Sequence, residues 1–147
     1  MTLDPIVATI DIDAPIAIVF DTMTSEAHVP NWLGCLHYRR EVGTTFHMQP
    51  DPAKRAVGDL TGATHCDVTA IDAPHRLAFT WYVPGTPKTT VTVSLEALAA
   101  NRTRATLVHE GWGQFPPEMV RPFHEQLKGG WAGGVLPGLK RVSEERN

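Results

Sequence analysis

Cysteine is scarce: Cys35 and Cys66 are the only two in 147 residues, and no C-x-x-C pair occurs. Such usage excludes a disulfide-stapled secreted scaffold and reads most simply as two free thiols. A surplus of basic charge is also missing. With 13 Lys and Arg against 16 Asp and Glu, the formal charge is -3 and the pI near 6.1. That balance lacks the cationic excess that gripping a phosphate backbone demands, so nucleic acid is not an expected partner. No uninterrupted apolar run approaches the roughly 20 residues of a bilayer span. The opening MTLDPIVATIDIDAP has no basic stretch ahead of an apolar one, so a cytoplasmic protein without a membrane span is expected.

Chemical motifs are equally sparse. There are seven histidines but no H-x-x-x-H or C-x-x-C spacing to support a pairing such as His37 with Cys35, and His65 and Cys66, adjacent in a strand, diverge, which argues against a metal site. The segment GGWAGG has neither the strand-to-helix setting nor the Lys-Ser or Lys-Thr of a phosphate loop, and no Ser-centred nucleophile elbow is present. No metal and no cofactor are therefore expected. Repeats and low-complexity tracts are absent as well.

What is present is periodicity. With 42% hydrophobic residues, the chain has the size and composition of one globular domain over residues 1–147. Ile6, Ala8, Ile10 and Ile12 alternate with Val7, Thr9, Asp11 and Asp13, the pattern of a half-buried strand. Pro15 can serve as the first residue of a helix whose apolar stripe is Ile16, Val19, Phe20 and Met23. Thr24 or Ser25 is positioned to cap a second short helix with Val29, Trp32 and Leu33, shortened by Pro30 and ended at Gly34.

An antiparallel meander follows, separated by turn chemistry. Leu36 and Tyr38 open it, and Phe46 and Met48 are in phase after Gly43. Residues 49–58 read as a polar loop and 60–71 as a strand. Leu77, Phe79 and Trp81 alternate in the next, Val91, Val93 and Leu95 in another, and Ala105 and Leu107 in the last. From Glu118 to Glu145 the period becomes helical, with Val120, Phe123, Leu127, Trp131, Val135, Leu139 and Val142 on one broad face. The middle of this helix reads GGWAGGVLPG. Glycine at about 1 kcal/mol and proline at about 3 kcal/mol disfavour a regular rod, so a kink or break is expected near residues 133–137.

The stretches APIAIVFDTMTS with Trp32 after it, GTTFHM, DAPHRLAFTW, TRATLVHEGW and the late pair Gly130-Trp131 resemble the family named after the activator of the ninety-kilodalton heat-shock protein's ATPase. That family lies within the START-like (SRPBCC) superfamily, and the resemblance covers nearly the whole chain. It implies an α+β helix-grip fold: a curved antiparallel sheet wrapped around a long C-terminal helix, with two short helices after the first strand. It also implies a cavity between sheet and helix that in many relatives takes lipids, polyketides or other apolar ligands. It supplies no activity, because one superfold hosts many functions.

Within this frame His109 is in phase with Ala105 and Leu107, so its imidazole points to the interior. It is either a ligand-orienting or proton-transferring group in a cavity, or a hydrogen-bonded core histidine. His124 lies near the bearing of Trp131 on the helical wheel; facing inward, it would oppose His109 as a polar clamp, and otherwise it is a boundary residue. Trp112 is out of phase with His109 and is expected on the other sheet face or over the strand end. Trp32 is expected to plug one end of the grip or line an entrance, and Cys66, in phase with Val68, to be a buried thiol.

The expected ligand-binding residues are Phe79, Trp81, Val93, Leu107, His109, His124, Leu127 and Trp131, with Gly133, Gly134 and Gly138 as hinges of a helical lid. The leading expectation is binding of a small apolar or amphipathic molecule. The alternatives are a cyclase-, isomerase- or hydrolase-like enzyme using His109, and a chaperone-ATPase cofactor acting through protein contacts. A lone domain makes that last role less expected. A homodimer and a chaperone partner remain open.

Overall fold

Strand β1 (Ile6–Ile12) buries Ile6, Ala8 and Ile12 and exposes Val7, as its alternation requires. The computed structural model describes residues 3–147. Helix α1 (Ile16–Thr24) buries Val19, Phe20 and Met23, and α2 (Val29–Leu33) ends at Gly34, whose φ of 64° is the left-handed conformation that glycine adopts without penalty. Then come β2 (Cys35–Leu36), β3 (Thr45–Met48), a short helix α3 (Pro52–Ala56), β4 (Thr64–Asp72), β5 (Arg76–Trp81), β6 (Thr89–Ala99) and β7 (Arg102–Glu110). All pairings are antiparallel, in the order β1-β7-β6-β5-β4-β3-β2. Strands β2 to β7 thus form a meander, and β1 closes onto β7 with Ala8 opposite Leu107.

The sheet curls into a half-barrel around a continuous C-terminal helix. That helix comprises α4 (Pro117–Gly130), a π turn (Trp131–Val135) and α5 (Leu136–Glu145), and it packs against β1, α1 and α2. Leu77, Phe79, Val93 and Leu107 from the sheet meet Trp131, Leu136 and Leu139 from the helix in a core with almost no exposed area. Each such aliphatic or phenyl side chain contributes about 1.5–3 kcal/mol on burial. The architecture is the α+β helix grip. Among the described residues no helix is long and apolar enough to cross a membrane.

Several local expectations are corrected. The cap of α2 is His28, without a side-chain cap bond; the Thr24 hydroxyl instead donates to the Phe20 carbonyl at 2.8 Å. Residues 49–58 are not all loop, because the Asp51 carboxylate accepts from Ala53 N at 2.9 Å and nucleates α3. Strand β4 begins at Thr64, since residues 60–63 turn with Ala63 N donating to Leu60 O. The glycine-rich helix middle does depart from a regular rod, but by one π turn and not by a break. Pro137 has no N–H to donate, and the backbone accommodates it by widening to one π turn while remaining helical. Phe123 is 59% exposed, at the open flank of the helix and not on its buried face.

Candidate functional site

Between α2, the α3 segment, the ends of β3 to β5 and the helical stretch from Phe123 to Val135 lies a cavity of about 770 Å³. That size suits a small organic ligand. Its wall is mostly apolar: Trp32 from α2, Met48 from β3, Trp81 from β5, and Leu127 and Trp131 from the helix, with Phe123 at the exposed flank. Gly130 and Gly134 also line it, and a Cβ built on either would meet nothing within 4 Å. Close packing therefore does not require glycine at these two positions. Gly138 differs, lying against Trp32, where a Cβ would come 3.6 Å from Trp32 Cα.

Arg55 is the one ionisable residue among those lining the cavity. It extends from α3, and its Nη1 donates to the Gln49 carbonyl. Gln49 is itself buried, with Nε2 donating to Asp59 O at 3.1 Å and Thr61 O at 2.9 Å. The guanidinium lies over Gly34, where a Cβ would come within 3.1 Å of Nη1, so the bare backbone leaves room for it. Among the described residues no carboxylate pairs with Arg55. The Trp32 indole N–H is buried without a hydrogen-bond partner and does not open onto the cavity.

Behind the cavity wall, His109 is fully buried and both ring nitrogens are engaged. Thr89 Oγ1 donates to the Trp81 carbonyl at 2.7 Å, so the 2.7 Å contact with His109 Nε2 has the ring N–H donating to that hydroxyl. Trp131 Nε1–H donates to Nδ1 at 3.2 Å. The network fits one neutral tautomer, and burial, with His124 contributing, pushes the His109 pKa down to about 3. Thr89, His109 and Trp131 thus tie β6, β7 and the π turn together.

Of the eight residues expected to bind ligand, Trp81, Leu127 and Trp131 line the cavity. Phe79, Val93 and Leu107 are buried in the core behind it. His109 touches the site only through Trp81 and Trp131, whose rings lie 5.3 and 5.9 Å from its own. His124 faces inward but away from the cavity: Nε2–H donates to Asp4 O at 2.7 Å. No two-histidine clamp forms, because Trp112 stands between the rings, 4.6 Å from His109 and 5.4 Å from His124. Of the two places expected for Trp112, the other sheet face or the strand end, it takes the second. Gly111, at φ 100°, turns the chain back so that the Trp112 indole N–H donates to His109 O at 3.0 Å, covering the strand end.

Sequence reasoning overlooked Arg55 and Met48, which reach the cavity from segments read only as loop and strand. The Asp51-Pro52 pair, an N-cap followed by an N1 proline, was the available signal for α3. Among the described residues no group of three His, Cys, Asp or Glu side chains is arranged to hold a metal ion. Both thiols are buried, and burial pushes Cys35 up to about 12 and Cys66 well above the ordinary thiol range, leaving neither as a ready nucleophile.

The model of the family described as activator of Hsp90 ATPase homolog 1-like protein matches residues 13–133. The chain belongs to this family. Solved structures share the fold. A protein from Mesorhizobium loti, MLL2253, is 19% identical with a TM-score of 0.77, over 98% of this chain and 99% of that one. Protein BH1534 of Bacillus halodurans is 28% identical with a TM-score of 0.73, over 98% and 100%. An HSP90 activator of Plasmodium falciparum, PFC0360w, is 18% identical with a TM-score of 0.72, over 94% of each chain. A search of curated proteins finds no significant match to this sequence.

Proposed function

We propose that this family member binds a small apolar or amphipathic molecule in the cavity between its C-terminal helix and the α2–β5 side of the grip. The observation that carries the reading is the pair Gly130 and Gly134. Each costs the helix about 1 kcal/mol relative to alanine, and neither is demanded by packing, since the space beside it is empty. What the two glycines do supply is volume in the cavity that Trp32 and Trp81 also line. Three indoles around one opening give a ligand large apolar surfaces at low conformational cost. His109 supports the site as a brace that holds the Trp131 indole by its N–H. Both its nitrogens are engaged by the protein, so proton transfer to a bound molecule is not the reading this geometry favours. Likeness to the Plasmodium activator is a likeness of fold, and the chaperone role remains that protein's.

Titration with the neutral dye N-phenyl-1-naphthylamine tests the proposal. Saturable emission enhancement is expected for the unaltered protein, and Gly134→Leu, which fills the cavity from the helix side, should weaken it at least tenfold without unfolding the protein. Equal binding by both proteins would place the dye elsewhere and remove the cavity as the site.

A further inference from the structure

We infer that the ligand is an apolar carboxylic acid whose carboxylate is held by Arg55. This rests on the cavity being a binding site and goes further by naming the chemistry of the occupant. Arg55 is the sole ionisable group in a mostly apolar wall whose other polar side chains, Asn31, Thr64 and Gln126, are neutral, and among the described residues it has no carboxylate partner. Half-buried at the cavity and without a counter-ion, the guanidinium is free to take a ligand carboxylate.

The residue is also placed, not merely nearby. Asp51 caps the short helix that carries it, Gln49 O receives one of its N–H groups, and the bare backbone of Gly34 lets the guanidinium lie close. One nitrogen is thereby used, leaving the other N–H groups of the planar fork for a bidentate acceptor. A guanidinium has only N–H donors, so the polar end of the ligand must accept. A single fixed cation matches a monoanion better than a phosphate dianion. The apolar body then lies against Trp81, Leu127 and Trp131.

The test compares decanoic acid with decan-1-ol at pH 8, where the acid is ionised, by competition against N-phenyl-1-naphthylamine in the unaltered protein and in Arg55→Gln. The acid should bind roughly tenfold more tightly than the alcohol, as expected for charge-assisted hydrogen bonds. Arg55→Gln should abolish that preference while its affinity for the alcohol stays within about twofold, which also shows that the variant's cavity is intact. Equal affinities for acid and alcohol in the unaltered protein, or a preference that survives Arg55→Gln, would overturn the carboxylate assignment and leave the cavity standing. If neither compound displaces a dye that does bind, the assignment is likewise overturned. If the dye itself shows no saturable binding, the binding-site reading falls and takes the assignment with it.

Discussion

His109 shows how a residue that looks catalytic in sequence becomes structural in the fold. Alternation along β7 is enough to send its ring inward, but the partners that occupy both nitrogens lie 20 and 22 residues away in sequence and are invisible to periodicity. Its acid–base behaviour follows from that burial. The folded-state pKa, about 3, lies below the ordinary value of 6.5, so between these two pH values the unfolded chain binds a proton that the folded protein excludes. Stability therefore falls as pH drops through that window, at up to about 1.4 kcal/mol per pH unit from this one group. His109→Gln keeps polar atoms for Thr89 and Trp131 but does not titrate. Chemical denaturation of both proteins between pH 6 and 4.5 should show that the variant loses stability less steeply, by about one proton; parallel slopes would contradict the neutral, buried imidazole. Arg55 teaches the converse lesson. Nothing in its immediate sequence marks it, because its significance comes from a cavity assembled by α2, β5 and the last helix, and only the Asp51-Pro52 start of α3 was locally legible.

At the scale of elements, strands with a clean period of two were the most legible, since burying one face of β1, β5, β6 or β7 leaves a single workable register. The C-terminal helix was legible as a helix with an irregular middle; in place of the kink or break expected there, it takes one π turn and stays helical. Glycine and proline were weighed by intrinsic propensity, whereas packing of Trp131, Leu136 and Leu139 into the core outweighs that local cost, and the π turn absorbs the N–H that Pro137 lacks. Phe123 was misplaced for a related reason: a helical wheel gives its bearing but not that this flank borders a cavity. The glycines permit a sharp prediction. A Cβ at Gly129 or Gly133 would meet nothing within 4 Å, and neither residue lines the cavity. Gly129→Ala and Gly133→Ala should each raise stability by about 0.5–1 kcal/mol in equilibrium denaturation and leave dye affinity unchanged. Loss of stability at both positions would mean that the helix needs their backbone freedom, as a hinged lid would.

At the scale of the whole molecule, the grip divides its interior in two. Toward β1, β7 and α5 the core is closed, with Ile12, Leu107 and Leu139 fully buried. Toward α2, α3 and the ends of β3 to β5 it stays open, and there three tryptophans and one arginine face about 770 Å³ of space. The central claim is that the open half carries a ligand, and native mass spectrometry of freshly purified protein, compared with the same sample denatured, tests it most directly. The account predicts a discrete extra mass at one per chain that disappears on denaturation, or appears after incubation with decanoate. An apo mass that remains clean in both samples would contradict it.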